Sequence, residues 1–212
     1  MPLVVRVERV APPHHTDALE AVAKACLAVW HDERAAGEWA PAFEAWLAGR
    51  FRKVVRRARG APWEAAGAVP GVLVRSGTAE VRAYPPVPNA ELPRELAKLQ
   101  VGGTDLVDPE PLGPPPPGAA RLWLHPTLAM TTGKAAAQAG HASMLLWPAL
   151  RSDAARAAWR AAGYPLAVRR ASPERWAALA GIAPVEVADG GFTEVAPGSV
   201  TVRAEAPVDD DR

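Results

Sequence analysis

Short apolar runs and alanine-rich periodic stretches alternate along the chain, in nearly the same order in its two halves. In the second half, Leu122-Trp123-Leu124 reads as a strand. Small and apolar residues then recur at helical spacing over 132–147, and Pro148 is expected to close that helix. A second helix is expected over 153–162, a strand over 164–170, a short helix over 173–180 with Pro173 in its first turn, and a strand over 185–188. Residues 193–195 and 200–202 read as strands flanking a Pro197-Gly198 turn. The matching pieces of the first half are 3–7, 17–30, 43–48, 52–57 and 71–75. Strands alternating with helices imply an α/β layer on a small mixed sheet.

Between the halves lies residues 104–118, TDLVDPEPLGPPPPG. Its run of prolines neither donates backbone hydrogen bonds nor continues a helix, so it reads as a stiff, extended linker between lobes 1–103 and 119–212. The lobes themselves align. Ala45-Trp46-Leu47-Ala48 through Val55-Arg56-Arg57-Ala58 matches Ala158-Trp159-Arg160-Ala161 through Val168-Arg169-Arg170-Ala171 without a gap, with Phe51 on Tyr164. Trp63 falls on Trp176, Val72-Leu73-Val74 on Val185-Glu186-Val187, and Gly77 on Gly190. With one residue inserted, Glu80-Val81 falls on Glu194-Val195, and upstream Trp30 falls on Trp147. Tryptophans recurring in order imply an internal duplication packed as a pseudo-dimer, and therefore a monomer that carries its own second lobe.

Composition narrows the class. With 49% hydrophobic and 22% charged residues, the 212-residue chain has the balance of a soluble globular protein. Lys+Arg 24 against Asp+Glu 23 leaves a net charge of +1, which excludes indiscriminate polycation behaviour but not a local basic face. The single cysteine, Cys26, forms no intramolecular disulfide or thiolate cluster and reads as an inert buried thiol. His14-His15 has no third ligand nearby, and neither metal nor cofactor is expected. No apolar run is long enough for a membrane span, and Met1-Pro2-Leu3-Val4-Val5-Arg6-Val7-Glu8 lacks signal-peptide features, so a cytoplasmic location is expected.

The helix opening Met130-Thr131-Thr132-Gly133-Lys134 carries the most chemistry. Thr131 or Thr132 is placed to cap it. Lys134 falls in the first turn, where the helix dipole disfavours a cation unless an anion shares the site. Lys134, Gln138 and His141 are spaced i, i+4, i+7 and share a face. On spacing alone, a packed alanine helix with a polar stripe accounts for this better than a site. No P-loop is present, because Leu128 and Ala135 stand where glycine and Ser/Thr are needed. Asp189-Gly190-Gly191-Phe192-Thr193-Glu194 is by default a turn; its aspartate at a strand end is also placed to orient a water. The basic run Arg50, Arg52, Lys53, Arg56, Arg57 and Arg59 is either a solvated face or a phosphate-contacting strip. The eight tryptophans read as core anchors, and Asp209-Asp210-Asp211 as a solubilising tail.

Together, the helix opening and the later stretch resemble the type 2 peptidyl-tRNA hydrolase family. The family's Met-x-Lys-Gly-Lys-x-Ala-Ala-Gln-x-x-His-Ala is matched by Met130-Thr131-Thr132-Gly133-Lys134-Ala135-Ala136-Ala137-Gln138-Ala139-Gly140-His141-Ala142. Its Asp-Ala-Gly-x-Thr-x-Ile-x-Pro-Gly-Ser/Thr-x-Thr-Val is matched by Asp189-Gly190-Gly191-Phe192-Thr193-Glu194-Val195-Ala196-Pro197-Gly198-Ser199-Val200-Thr201-Val202. The resemblance implies a four-stranded mixed sheet flanked by helices, and hydrolysis of the ester joining a peptide to the 3′ ribose of tRNA. It implies catalytic roles for Lys134, Asp189 and Thr193. Thr132, Gly133, Gln138 and His141 would bind substrate beside them, with Arg52, Arg56 and Arg57 of the first lobe offered to tRNA. Lys134 and the helix N-terminus would stabilise the oxyanion, or Lys134 would grip a phosphate. Asp189 would position or deprotonate water, and Thr193 would hold the water or the leaving oxygen.

The chain also departs from the pattern. Thr132 replaces the family's first lysine, His125-Pro126-Thr127-Leu128 stands for Arg-Thr-Asp-Leu, and Phe192 stands for an arginine. These losses of charge favour an alternative, a non-catalytic tRNA-binding or assembly module with a decayed hydrolase fold. A related fold acting on another small ester or amide is a third reading. At the positions matching Lys134, Gln138, His141, Asp189 and Thr193 the first half has Asp17, Ala21, Lys24, Ser76 and Ala79. The first lobe is therefore expected to be non-catalytic, standing in for the second subunit of a homodimer.

Overall fold

Leu3, Val4 and Val5 are all buried, so the first strand needs cover on both of its faces, as its continuous apolar run requires. The computed structural model, which describes residues 1–49, 51–191 and 194–207, supplies that cover. In the first lobe β1 (Pro2–Arg6), β2 (Val54–Ala58), β3 (Val72–Ser76) and β4 (Ala79–Ala83) form a sheet of order β2-β1-β4-β3. Strands β1 and β2 are parallel and the other pairs antiparallel. Helix α1 (His15–Trp30) lies on the inner face, α2 (Ala40–Ala48) precedes β2, and α3 (Gly60–Gly67) and α4 (Arg94–Ala97) cover the outer face.

The second lobe repeats this plan. Strands β5 (Ala120–Leu124), β6 (Leu166–Arg170), β7 (Val185–Ala188) and β8 (Val200–Glu205) take the order β6-β5-β8-β7, with β5 and β6 parallel. Helix α5 (Thr132–Ala149) packs on this sheet; α6 (Asp153–Ala161) meets its C-terminal end through Trp159 and Trp147, and α7 (Pro173–Ala178) sets Trp176 against Arg203 of β8. The likeness reaches individual bonds. Trp46 Nε1 donates to the Arg52 carbonyl at 3.0 Å, and its counterpart Trp159 donates to the Pro165 carbonyl at 2.9 Å. Arg82 lies over Trp63 and bonds its carbonyl, as Arg203 does with Trp176. Two lobes this alike fit an internal repeat.

Helices α1 and α5 are packed together between the two sheets, and each also touches the edge strand of the other sheet. Their contacts climb in step: His15 Nδ1 meets Thr132 Oγ1 at 3.0 Å, the Ser143 hydroxyl donates to the Ala23 carbonyl at 2.9 Å, and His31 meets Trp147. The helices therefore run parallel. Small residues let them approach closely. A Cβ at Gly140 would lie 2.7 Å from Cys26 Sγ, closer than real contacts allow. Cys26 matches Ser143, and Gly140 matches Ala23, so the two close contacts are a reciprocal pair, the mark of an isologous interface. Burial pushes the Cys26 thiol up to about 11, which keeps it unreactive.

The linker binds both helix mouths. Helix α1 has no side-chain cap of its own; Asp108 supplies one, accepting from the Thr16 amide at 2.9 Å and its hydroxyl at 2.8 Å. The Leu106 amide donates to Thr132 Oγ1 at 3.2 Å.

Several sequence expectations change. Helix α5 runs to Ala149 with Pro148 inside its last turn, where proline's fixed φ still fits and only one helical bond is lost. Glu194 and Val195 lie outside any strand. Strand register moves the end of the repeat: Val81 pairs with Val74 as Val202 pairs with Val187, so Glu80-Val81 corresponds to the start of β8 and not to Glu194-Val195. Ala79 accordingly opens β4 as Val200 opens β8, and it is not the counterpart of Thr193. A tight Gly77-Thr78 turn stands in the first lobe where the second has the longer 189–199 loop. Alanine and valine in both segments hid this difference in loop length. Thr193, Phe192, Arg50 and the Asp209-Asp210-Asp211 tail lie outside the described residues.

Gly140→Ala is expected to destabilise the protein by about 1–3 kcal/mol through overpacking against Cys26. Adding Cys26→Ala should recover most of that loss in a double-mutant cycle followed by chemical denaturation. Strictly additive effects would show that the two residues do not meet.

Candidate active site

Thr131, with extended backbone at the α5 N-cap, accepts from the Lys134 amide at 3.3 Å and so opens the helix as expected. That places Lys134 one turn in and Gln138 one turn further. Both reach Asp189, just past the end of β7: the Lys134 ammonium and the Gln138 amide nitrogen each donate to Asp189 Oδ2. The other carboxylate oxygen, Oδ1, accepts from the Gly191 amide at 2.8 Å. Gln138 is itself held, its Oε1 accepting from Thr201 Oγ1 at 3.1 Å. The backbone of Asp189 is fixed from both sides, its amide donating to the Ser199 carbonyl at 2.9 Å and its carbonyl accepting from Gly198 at 2.8 Å.

The side chains of Lys134 and Asp189 are 12% and 7% exposed, so water screens their attraction only weakly. Burial pushes the Asp189 carboxyl up, but Lys134, the Gly191 amide and Gln138 more than offset it and hold it below the usual carboxylate range. Asp189 is thus ionised at neutral pH and a weak base. A carboxylate saturated in this way orients its partners better than it abstracts protons.

At the helix mouth, Glu194 grips Thr131. Its carboxylate accepts from the Thr131 amide at 2.8 Å and the Thr131 hydroxyl at 2.7 Å, complementing the positive end of the helix dipole. The sequence reads residues 193–195 as a strand, and nothing in the pattern shows that Glu194 folds back onto Thr131. The Thr201 bond to Gln138 is likewise a register effect.

The remaining expected residues divide. Thr132 is buried, its hydroxyl engaged by His15 and the Leu106 amide, so its side chain serves the lobe junction. Gly133 leaves its surroundings open; the nearest atom to a Cβ there would be the Val101 carbonyl oxygen at 3.8 Å. His141 faces the first lobe, its ring 4.8 Å from Phe51. Burial, then the charge of Lys53, pushes its imidazole down to about 3, against an upward pull from Asp189, so it is neutral at physiological pH. Arg57 bonds Gln100 Oε1 at 2.6 Å, near the α5 mouth. Arg56 is spent on the Leu99 carbonyl at 2.8 Å. Exposed Arg52 precedes the opposite end of β2.

The first lobe carries different groups at the corresponding place. Asp17, matching Lys134, accepts from the amide and hydroxyl of Thr78 at 2.7 Å each, clamping the tight turn. Lys24, matching His141, donates to Ser76 Oγ at 2.8 Å, and Ser76 matches Asp189.

Lys53 is the neighbour that spacing did not single out. Its Nζ is buried, has no hydrogen-bond partner among the described residues, and sits 3.7 Å from the centre of the Phe51 ring and 5.0 Å from that of Trp46. Burial pushes its pKa down to about 7, against a small opposing effect of Cys26. Its folded pKa lies below the unfolded value near 10.5, so the unfolded chain binds more protons between these limits. Stability is then expected to rise with pH from about 7 towards 10, by up to about 1.4 kcal/mol per unit. Denaturation at pH 7.5 and 9.5 should show this slope in the native protein and not in Lys53→Met; an undiminished slope in the variant would refute it.

Comparison with known families finds a match to the model described as peptidyl-tRNA hydrolase PTH2, over residues 122–212. The matched stretch runs from β5 through β8 and contains Lys134, Gln138, His141 and Asp189. No curated protein and no solved structure gives a significant match. Among the described residues no helix is long and apolar enough to cross a membrane. Over this stretch the C-terminal lobe is similar to the type 2 peptidyl-tRNA hydrolases.

Proposed function

We propose that the chain hydrolyses the ester of peptidyl-tRNA, with the C-terminal lobe as the working one and the N-terminal lobe as a non-catalytic partner. The observation that carries this reading is the meeting of Lys134, Gln138 and Asp189 at the first turns of α5 within the family-matched stretch. Water attacks the carbonyl carbon and negative charge builds on the carbonyl oxygen. The bond to the 3′ oxygen then breaks, and that oxygen leaves as the hydroxyl of free tRNA. Lys134 and the α5 N-terminus stabilise the oxyanion in a site largely shielded from solvent. Asp189, a weak base with its oxygens engaged, holds the Lys134 ammonium and orients water. Gln138 fixes the carboxylate. Thr193 completes the set in this reading by bonding the water or the leaving oxygen. Neutral His141 stands by as a hydrogen-bonding group.

A second reading, a tRNA-binding or assembly module without turnover, draws on one observation: the Lys134 ammonium is committed to Asp189 in a buried pair. The two readings part on incubation with N-acetyl-aminoacyl-tRNA beside free aminoacyl-tRNA. Selective release from the blocked substrate supports hydrolysis; binding without release supports the module.

Lys134→Ala and Asp189→Asn are each expected to lower the release rate by about 10²–10³, the scale of a lost oxyanion stabiliser. Circular dichroism and thermal unfolding should show both variants folded, and fully active variants would refute the site. Because Asp189 is ionised and His141 neutral throughout, the rate should show no acid limb between pH 5 and 8. A limb near pH 6–7 that disappears in His141→Gln would contradict these protonation states.

A further inference from the structure

On the first lobe, the C-terminal end of β2 with α3 and α4 encloses a cleft of about 710 Å³. Four cationic side chains line it, Arg57, Arg59, Arg94 and Lys98, against the single carboxylate of Glu95, over an apolar floor that includes Ala58 and Leu99. The whole chain carries only +1, so positive charge is concentrated here. Arg59, Arg94 and Lys98 are exposed, and among the described residues none of the four cations forms an ion pair. Arg57 is half-buried; it bonds Gln100, and its Nε is buried without a partner. No histidine, cysteine, serine or threonine lines the cleft, so its chemistry is that of binding.

The cleft adjoins the candidate active site. The Arg57 amide donates to the Gln100 carbonyl at 2.9 Å, anchoring the segment that leaves the cleft. One residue on, the Val101 carbonyl faces Gly133 in the first turn of α5, and Leu106 bonds Thr132. Residues 100–106 thus run from the cleft, which Gln100 lines, to the helix mouth that carries Lys134. The second lobe differs at the matching place: its Arg170, which matches Arg57, is turned onto the carbonyls of His125 and Pro126.

We infer that this cleft binds the sugar-phosphate backbone of the tRNA whose ester lies at Lys134, an inference that rests on the proposed hydrolase reading. The volume exceeds what one phosphate fills. Guanidinium groups match phosphate oxygens in paired hydrogen bonds, and an apolar floor suits ribose and base faces. The lobe that lost the catalytic set would then supply the electrostatic grip on substrate, offsetting the cations missing around Lys134.

The test uses full-length protein and deacylated tRNA, so that it does not depend on turnover. Binding is followed by fluorescence anisotropy between 50 and 200 mM salt for the native protein and for the triple variant Arg59→Ala, Arg94→Ala, Lys98→Ala. These exposed substitutions leave Arg57 and its Gln100 anchor in place, and Arg94→Glu alone provides a milder second variant. The triple variant is expected to bind at least about tenfold more weakly at 100 mM salt, with a salt slope shallower by roughly 2 to 3, near one unit for each phosphate no longer neutralised. Arg94→Glu should shift both in the same direction. An unchanged slope in a folded triple variant overturns the inference, even if the native protein hydrolyses peptidyl-tRNA. A reduced slope in a protein that releases no peptide supports the cleft while refuting the hydrolase. Displacement of tRNA by polyglutamate at equal charge concentration overturns the inference in favour of an acidic protein partner.

Discussion

Everything in this molecule is arranged around one close approach, that of α1 to α5 at Gly140 and Cys26. A helix pair packed so tightly fixes the spacing and angle of the two sheets that sandwich it, because interiors at crystal-like density do not deform continuously. It also sets what faces the candidate site. Phe51 and Lys53 of the first lobe meet His141 only because α5 lies against that lobe, and the neutrality of His141 follows from that burial and from the charge of Lys53. The first lobe therefore shapes the surroundings of His141 in the second.

Much of this was readable in the sequence, for definable reasons. Tryptophans are large, few and hard to replace, so Trp46, Trp63, Trp159 and Trp176 marked the repeat, and the same bonds and stacked arginines recur around them. Lys134 and Gln138 one turn apart on α5 lie on one face by helical geometry, and their meeting with Asp189 follows once β7 packs on that helix. Loop length was not readable. The turn after β3 and the 189–199 loop differ in size, and alanines and valines on both sides allowed a false match of Ala79 with Thr193. The direction of long side chains was equally hidden. Arg56 and Arg57 are neighbours in sequence, yet one is consumed by the Leu99 carbonyl while the other lines the cleft, because successive strand residues face opposite ways.

The two lobes place different polar groups at corresponding positions of one fold. The second lobe keeps a buried cation and carboxylate together, an arrangement of small net benefit to stability that is costly if one partner is removed. The first lobe has replaced that pair with hydrogen bonds inside a tight turn, Asp17 to Thr78 and Lys24 to Ser76, so that both charges have a local partner.

The linker adds a consequence of its own. It pins the mouths of both central helices, through Asp108 on Thr16 and Leu106 on Thr132, and it leaves little slack between the sheets. A tether this short presents each lobe to its mate at an effective concentration on the order of millimolar. The two halves are free to differ in charge and chemistry, because a shared chain and not recognition between identical surfaces holds them together.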